Sequence, residues 1–328
     1  MSRIKKFLVV ETGIILLLSI LVFTEYTQEE VQQEPKIPEN SLLSPRVYLG
    51  VLEPKSYLIT NFDPLEETLS KRVSGKNVSI YIQNLRDGSS FELNEEQRFF
   101  PLSLNKVPLA ISIMQKVERG NLTLETKIKI PDAARDQYSG DLYNIPAKEL
   151  SLDFLMQKML SESDNTAFYT LLAYLNQEDL KFLLDYYPVD FDVYYDPNAT
   201  SNEFVYLTAN DYSNVFRSLY LSTLLETENS EYLLELLRNN TLDITTVAGL
   251  PDNVVVAHKF GVGFVNIQSM HDCGIMYIPE KTRLLYCIMT DGLNQEQATN
   301  MIGSILKSLH DYVIESRKEL GIYKEHLS

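Results

Sequence analysis

The chain has no tryptophan, four histidines and two cysteines in 328 residues. No group of these residues has the spacing of a zinc or iron–sulfur site, so no metal is expected, and nothing calls for an organic cofactor. Basic side chains are scarce as well. Twenty-nine Lys and Arg stand against 45 Asp and Glu, a formal charge of −16. Nucleic-acid binding needs a basic surface that releases counterions from phosphates, so that class of partner is excluded. There is no internal repeat, and nothing in the sequence demands a second copy; a monomer is expected.

What is present begins with a membrane signal. Arg3, Lys5 and Lys6 precede an apolar run from Phe7 to Phe23, interrupted only by Glu11, Thr12, Gly13 and Ser19. Basic residues stay inside, so residues 1–6 are expected as a cytoplasmic tail, 7–24 as a transmembrane anchor, and the remainder outside the cell membrane. Glu11 lies near the inner end, where it can snorkel to the headgroups. The run closes on Leu21, Val22, Phe23 and Thr24 rather than on the small residues of a cleavage site, and no cysteine follows it to accept a lipid. Residues 25–60 are rich in Glu, Gln, Pro and Ser without sustained periodicity and read as a flexible tether.

Residues 61–328 carry the patterns of a folded domain. Phe62 to Val73 has helical spacing, and Val78 to Leu85 alternates and leads into the turn Arg86-Asp87-Gly88-Ser89, a hairpin signal. Ser103 to Arg119 reads as a mostly buried helix closed by Gly120, with Pro108 tolerated near its first turn. Helical spacing then dominates: Leu152 to Leu160, Thr166 to Leu175, Glu178 to Tyr187, Asn210 to Leu221 and Glu228 to Arg238. Strand-like runs return at Asn253 to His258, at Phe264 to Ile267 and on both sides of Glu280, before a last helix from Asn294 to about Lys318. A lone early hairpin is unstable, so the early and late strands must share one sheet. The expected architecture is α+β, an antiparallel sheet flanked by the N- and C-terminal helices with an all-helical lobe inserted at about residues 103–250. Cys273 and Cys287 each lie seven residues from Glu280, so a hairpin centred there sets them face to face. Either a disulfide or two buried thiols fits that placement.

Three short elements carry chemistry. Ser103-Leu104-Asn105-Lys106 puts a hydroxyl and an ammonium on one face of a helix start, where free backbone N–H groups can hold an oxyanion. The pattern arises cheaply, since Ser2 and Lys5, and Ser304 and Lys307, repeat it. Ser163-Asp164-Asn165 lies between two helical runs and also suits a helix cap. Lys259-Phe260-Gly261 closes a strand-like run and also suits a solvated strand end. Ordinary roles for each do not supply their order, helix then loop then strand.

That order resembles the penicillin-recognising serine hydrolases, which include the class A β-lactamases and the D,D-peptidases. The resemblance extends through FFPLSLNKVPLAI, SESDNTAFYTLL, VVAHKFG and HDCGIMYIP. It implies that Ser103 attacks a carbonyl to give an acyl-enzyme, with Lys106 as base and Ser163 passing a proton to the leaving nitrogen. Lys259 then tunes the proton network and attracts a substrate carboxylate, and Asn165 binds the substrate's amide. Gly261 and Val262 line the substrate, the N–H groups of Val262 and Ser103 forming the oxyanion hole. The partner implied is a β-lactam or a cell-wall peptide.

Two departures stand out. Phe260 occupies the triplet position that usually carries a hydroxyl for the substrate carboxylate. No Glu-x-x-x-Asn appears between Asp185 and Leu207 to activate a deacylating water; Asp196, before Pro197 and Asn198, is the nearest candidate carboxylate. The resemblance therefore implies β-lactam ring opening, with peptidoglycan processing as a D,D-peptidase, or a weakly active binding module, as the alternatives.

Overall fold

The structure, a computed structural model, describes residues 41–44, 60–175, 179, 206–263, 268–279 and 282–319. The anchor, most of the tether, Asp196, and the runs expected at Glu178–Tyr187 and Phe264–Ile267 lie outside the described residues. Among the described residues no helix is long and apolar enough to cross a membrane.

Seven strands are described: β1 (Asn77–Asn84), β2 (Ser90–Leu93), β3 (Lys127–Lys129), β4 (Glu149–Ser151), β5 (Val255–Val262), β6 (Ser269–Ile278) and β7 (Thr282–Asp291). Five of them form one antiparallel sheet in the order β2-β1-β7-β6-β5, so the early hairpin does join the late strands. Among the described residues eight α-helices accompany them: α1 (Asp63–Val73), α2 (Lys106–Glu118), α3 (Leu152–Ser161), α4 (Asn165–Tyr174), α5 (Ala209–Tyr220), α6 (Thr227–Arg238), α7 (Ile244–Ala248) and α8 (Gln295–Glu319).

The sheet separates two cores. On one face Tyr81, Ala257, Cys273, Ile275, Leu285 and Met289 pack against α2 to α6. On the other, Ile80, Ile82, Val256, Met276 and Ile288 meet α1, α7 and α8. β6 and β7 are covered on both faces, which is why their apolar runs are nearly continuous. In α8 the stripe Ala298, Ile302, Ile305, Leu306, Leu309 and Val313 faces the sheet, and each fully buried Ile or Leu contributes about 1.5–3 kcal/mol. Cys273 and Cys287 are cross-strand partners and are bonded, with an S–S distance of 2.07 Å; of the two fates open to them in sequence, the disulfide is the one found.

Four expectations need correcting. The lobe at about 103–250 is not all-helical, because β3 and β4 pair within it and bury Ile128. Its last helix, α7, belongs to the opposite core, where Ile244 and Ala248 pack with α8. Lys259 to Gly261, expected to close the strand, lie with Val262 in its second half, paired with Met270 to Cys273. Finally, residues 41–44 of the expected tether are docked. Leu42 and Leu43 are buried in the lobe core, Glu231 accepts from Ser41 Oγ and Leu42 N, and Ser44 N donates to Tyr220 O. Four residues are too short for any period to show, and two leucines among polar neighbours gave no signal.

Candidate active site

The serine sits in a 3-10 turn, Leu102–Asn105, that runs into α2 at Lys106. Leu102 has φ +54°, a left-handed value rare for a residue with a Cβ, and Ser163 has φ +58°. These strained residues flank the nucleophile and form the second motif, and such strain persists only where surrounding contacts impose it. The contacts are visible. Tyr212 of α5 donates its hydroxyl to Leu104 O at 2.6 Å. His271 of β6 is wholly buried and reaches Phe100 O through Nε2 at 2.9 Å, while its Nδ1 accepts from Thr290 N. A carbonyl only accepts and a backbone N–H only donates, so the ring is the neutral Nε2–H tautomer. Burial agrees, pushing the imidazole down to about 4.

Lys106 is 2% exposed, and its Nζ has four partners: Ser163 O at 2.6 Å, Asn165 Oδ1 at 2.8 Å, and the hydroxyls of Ser103 and Ser163 at 3.1 Å each. Burial pulls its pKa down to about 7, against the opposing pull of Asp164 and Asp136. The partner chemistry fits the neutral amine. Two protons go to the two oxygens that can only accept, and the lone pair faces hydroxyls that can donate. A base held this way can take the Ser103 proton.

The SDN element performs both of its sequence readings. Asp164 caps α4, accepting from Ala167 N at 2.8 Å, and its other oxygen accepts from Leu142 N. Gly140, at φ +84°, makes room for it, since a Cβ there would collide with the Asp164 carboxylate. Asn165 opens α4, giving its oxygen to Lys106 and its Nδ2 to Asp136 Oδ1 at 3.0 Å. The amide expected to bind substrate is thus already a bridge between Lys106 and Asp136. Asp136 carries no motif, and only the fold reveals it.

Lys259 is wholly buried on β5. Its Nζ donates to Phe260 O at 3.0 Å and lies 4.3 Å from the centre of the Phe260 ring. Burial, reinforced by Lys106, lowers its pKa well below the usual lysine value. Gly261 lets β5 approach the serine turn, because a Cβ there would lie 3.0 Å from Leu102 Cβ and 3.2 Å from Ser103 N. Gly263 N donates to Ser269 O, so strand alternation turns the Val262 N–H away from β6 and toward the free edge where that turn packs. Ser103, Lys106, Ser163, Asn165, Lys259, Gly261 and Val262 therefore fall in one place. Asp196 is outside the described residues, and among those described there is no group of acidic, His or Cys residues able to hold a metal ion.

A sheet with helices on both faces and a serine–lysine pair at its β5 edge define a serine hydrolase of the penicillin-recognising class. The chain belongs to the β-lactamase enzyme family, whose model matches residues 64–313. It is 23% identical to β-lactamase VEB-1 of Pseudomonas aeruginosa over 274 residues, 76% of this chain and 89% of that protein. It is 25% identical to a β-lactamase of Bacteroides uniformis over 269 residues, 75% of this chain and 90% of the relative. Among solved structures, the TLA-1 extended-spectrum β-lactamase has a TM-score of 0.69 at 19% identity, covering 78% of this chain and all of that one. PBP-A has a TM-score of 0.65 at 19% identity, covering 77% and 97%.

Proposed function

We propose that the chain opens β-lactam rings outside the cell membrane through an acyl-enzyme on Ser103, held to the membrane by residues 7–24. The observation that carries the chemistry is the buried Lys106, with its lone pair facing Ser103 and its pKa near 7. Ser163, equally close to Lys106, is the group to pass the proton on to the leaving nitrogen. The location is supported by the basic residues before the apolar run and by the Cys273–Cys287 disulfide, a bond that persists in oxidising compartments. Protease added to intact spheroplasts is expected to digest the domain; a fully protected domain sinks the topology.

The fate of the acyl-enzyme separates two readings. Time-resolved intact mass of the full-length chain with a small excess of a penicillin is expected to show an adduct that forms and then decays as the drug is consumed. An adduct that stays assigns the chain to cell-wall peptide processing, the reading favoured by the missing Glu-x-x-x-Asn.

Phe260 bears on substrate choice. Its ring covers the Lys259 ammonium and offers no hydroxyl to a substrate carboxylate. Phe260→Thr is expected to raise the acylation rate of a penicillin relative to its methyl ester about tenfold, the worth of one hydrogen bond to a charged group. A ratio equal to that of the wild type shows that residue 260 does not meet the carboxylate.

A further inference from the structure

The loop that follows Arg135 is laid across the second motif and fastened to it at both ends. Asp136 N donates to Thr166 Oγ1 at 3.0 Å, and that hydroxyl donates back to Asp136 O at 3.2 Å. Thr166 is wholly buried in the first turn of α4. Ser139 O accepts from Asn165 N at 3.0 Å, and Ser139 Oγ donates to Ser163 O at 2.9 Å. Asp136 and Asn165 are thus carried on frames that hold each other, and their side chains meet: Asn165 Nδ2 donates to Asp136 Oδ1 at 3.0 Å.

The same oxygen accepts from Tyr138 N at 2.9 Å. A backbone N–H only donates, so Asp136 Oδ1 is an acceptor toward both neighbours, whatever the state of the other carboxyl oxygen. That fixes a choice the Asn165 amide would otherwise have. An asparagine presents an oxygen on one side and an NH2 on the other, and turning the amide over exchanges the two at little steric cost. With the NH2 toward Asp136, every contact runs from donor to acceptor. Turned over, Asn165 Oδ1 would face Asp136 Oδ1, two acceptors with no proton between them.

The choice reaches Lys106. Its Nζ lies 2.8 Å from Asn165 Oδ1 and 2.6 Å from Ser163 O, and a neutral amine spends its two protons there. Its lone pair is left for the hydroxyls of Ser103 and Ser163, each 3.1 Å away. If Asn165 instead turned its NH2 to Lys106, the amide would donate to that lone pair, and the base would lose the site that receives the Ser103 proton. Asp136 acts on this arrangement through the amide.

We propose that Asp136 is a positioning residue for acylation: it holds the Asn165 amide with its oxygen toward Lys106, and so keeps the lysine's lone pair turned to Ser103. The proposal rests on the reading of Ser103 and Lys106 given above. The acceptor at position 136 matters here and not its charge, so an asparagine, which offers an oxygen to Tyr138 N and Asn165 Nδ2, can stand in for it.

The test is the acylation rate of a penicillin, followed by intact mass on the full-length chain and on variants that circular dichroism shows to be folded. Asp136→Ala is expected to acylate about tenfold more slowly, the upper worth of one neutral hydrogen bond, and Asp136→Asn to stay within about threefold of the wild type. Asn165→Ala has no amide left to orient. Added to it, Asp136→Ala is expected to change the rate by less than about twofold, whereas independent sites repeat their full effect. A wild-type rate in Asp136→Ala, an Asp136→Asn as slow as Asp136→Ala, or the whole loss repeated in the Asn165→Ala background overturns the proposal. Should Asp136→Ala fail to fold, Asp136→Ser keeps an acceptor for Tyr138 N that falls short of Asn165, and must be slowed as much; a wild-type rate there overturns it equally. A wild-type chain that forms no adduct removes the reading of Ser103 and Lys106, and this proposal falls with it.

Discussion

Ser103→Ala forms no covalent adduct with a penicillin and loses about four orders of magnitude or more in hydrolysis, yet melts at the wild-type temperature. The first half follows from the nucleophile's place: no acyl-enzyme can form without Oγ, and removing a group that acts with its base forfeits the whole unit's contribution. The second follows from what Ser103 does not hold. It is half-buried, and the turn around it is fixed through Leu104 O by Tyr212 and through Phe100 O by His271. Lys106 keeps three of its four partners when Oγ is removed. Intact mass and calorimetry on the same preparation check both halves. A persistent adduct on the alanine variant assigns the nucleophile elsewhere, with Ser163 the first residue to examine.

Lys106→Met lowers the acylation rate by about 10²–10⁴, the usual worth of a positioned general base, and melts no lower than the wild type. Lys106 is a buried cation in waiting: its folded pKa near 7 lies below the unfolded value of 10.5, so the unfolded chain binds the proton more tightly. Stability therefore rises with pH between those values, and at pH 7 or below the full cost of burying the ammonium is present. Methionine removes that cost and keeps the volume, while Ser163 O retains the hydroxyl of Ser139. In the wild type the same pKa makes acylation rise with pH toward a midpoint near 7, since the lone pair exists only on the neutral amine. A flat profile between pH 6 and 8 in the wild type, or a variant that both acylates normally and melts lower, removes Lys106 from the base role.

Much of this site was legible in the sequence because its parts are local. Ser103 and Lys106 share a helix start, and a single turn of backbone brings them together. Asp164 and Asn165 read as helix-opening residues and are so, while the bridge that Asn165 makes between Lys106 and Asp136 is visible only in the fold. The cysteines' equal distances from Glu280 placed them as cross-strand partners, but only their approach in the folded hairpin chose between thiols and a bond. Ser41–Ser44 carry no sign of docking in the sequence because their burial against α5, α6 and β6 depends on residues more than 170 positions later, such as Tyr220 and Glu231.

The sequence by itself determined the α+β order of elements, the hairpins, the three chemical motifs and the excess of negative charge, all of which rest on short-range periodicity or on residue identity. Tertiary structure decided the rest. It extended β5 through Lys259 to Val262, because pairing partners on β6 extend a strand beyond its own pattern. It brought α2, α4 and β5 to one edge, where burial rather than composition sets the Lys106 pKa near 7. It also gave His258 and Tyr286 a common partner in Asp272 on the strand between them, beside a glycine whose significance lies only in what packs over it. Desolvation and cross-strand contact are properties of surroundings, and the residues that create those surroundings lie far apart along the chain.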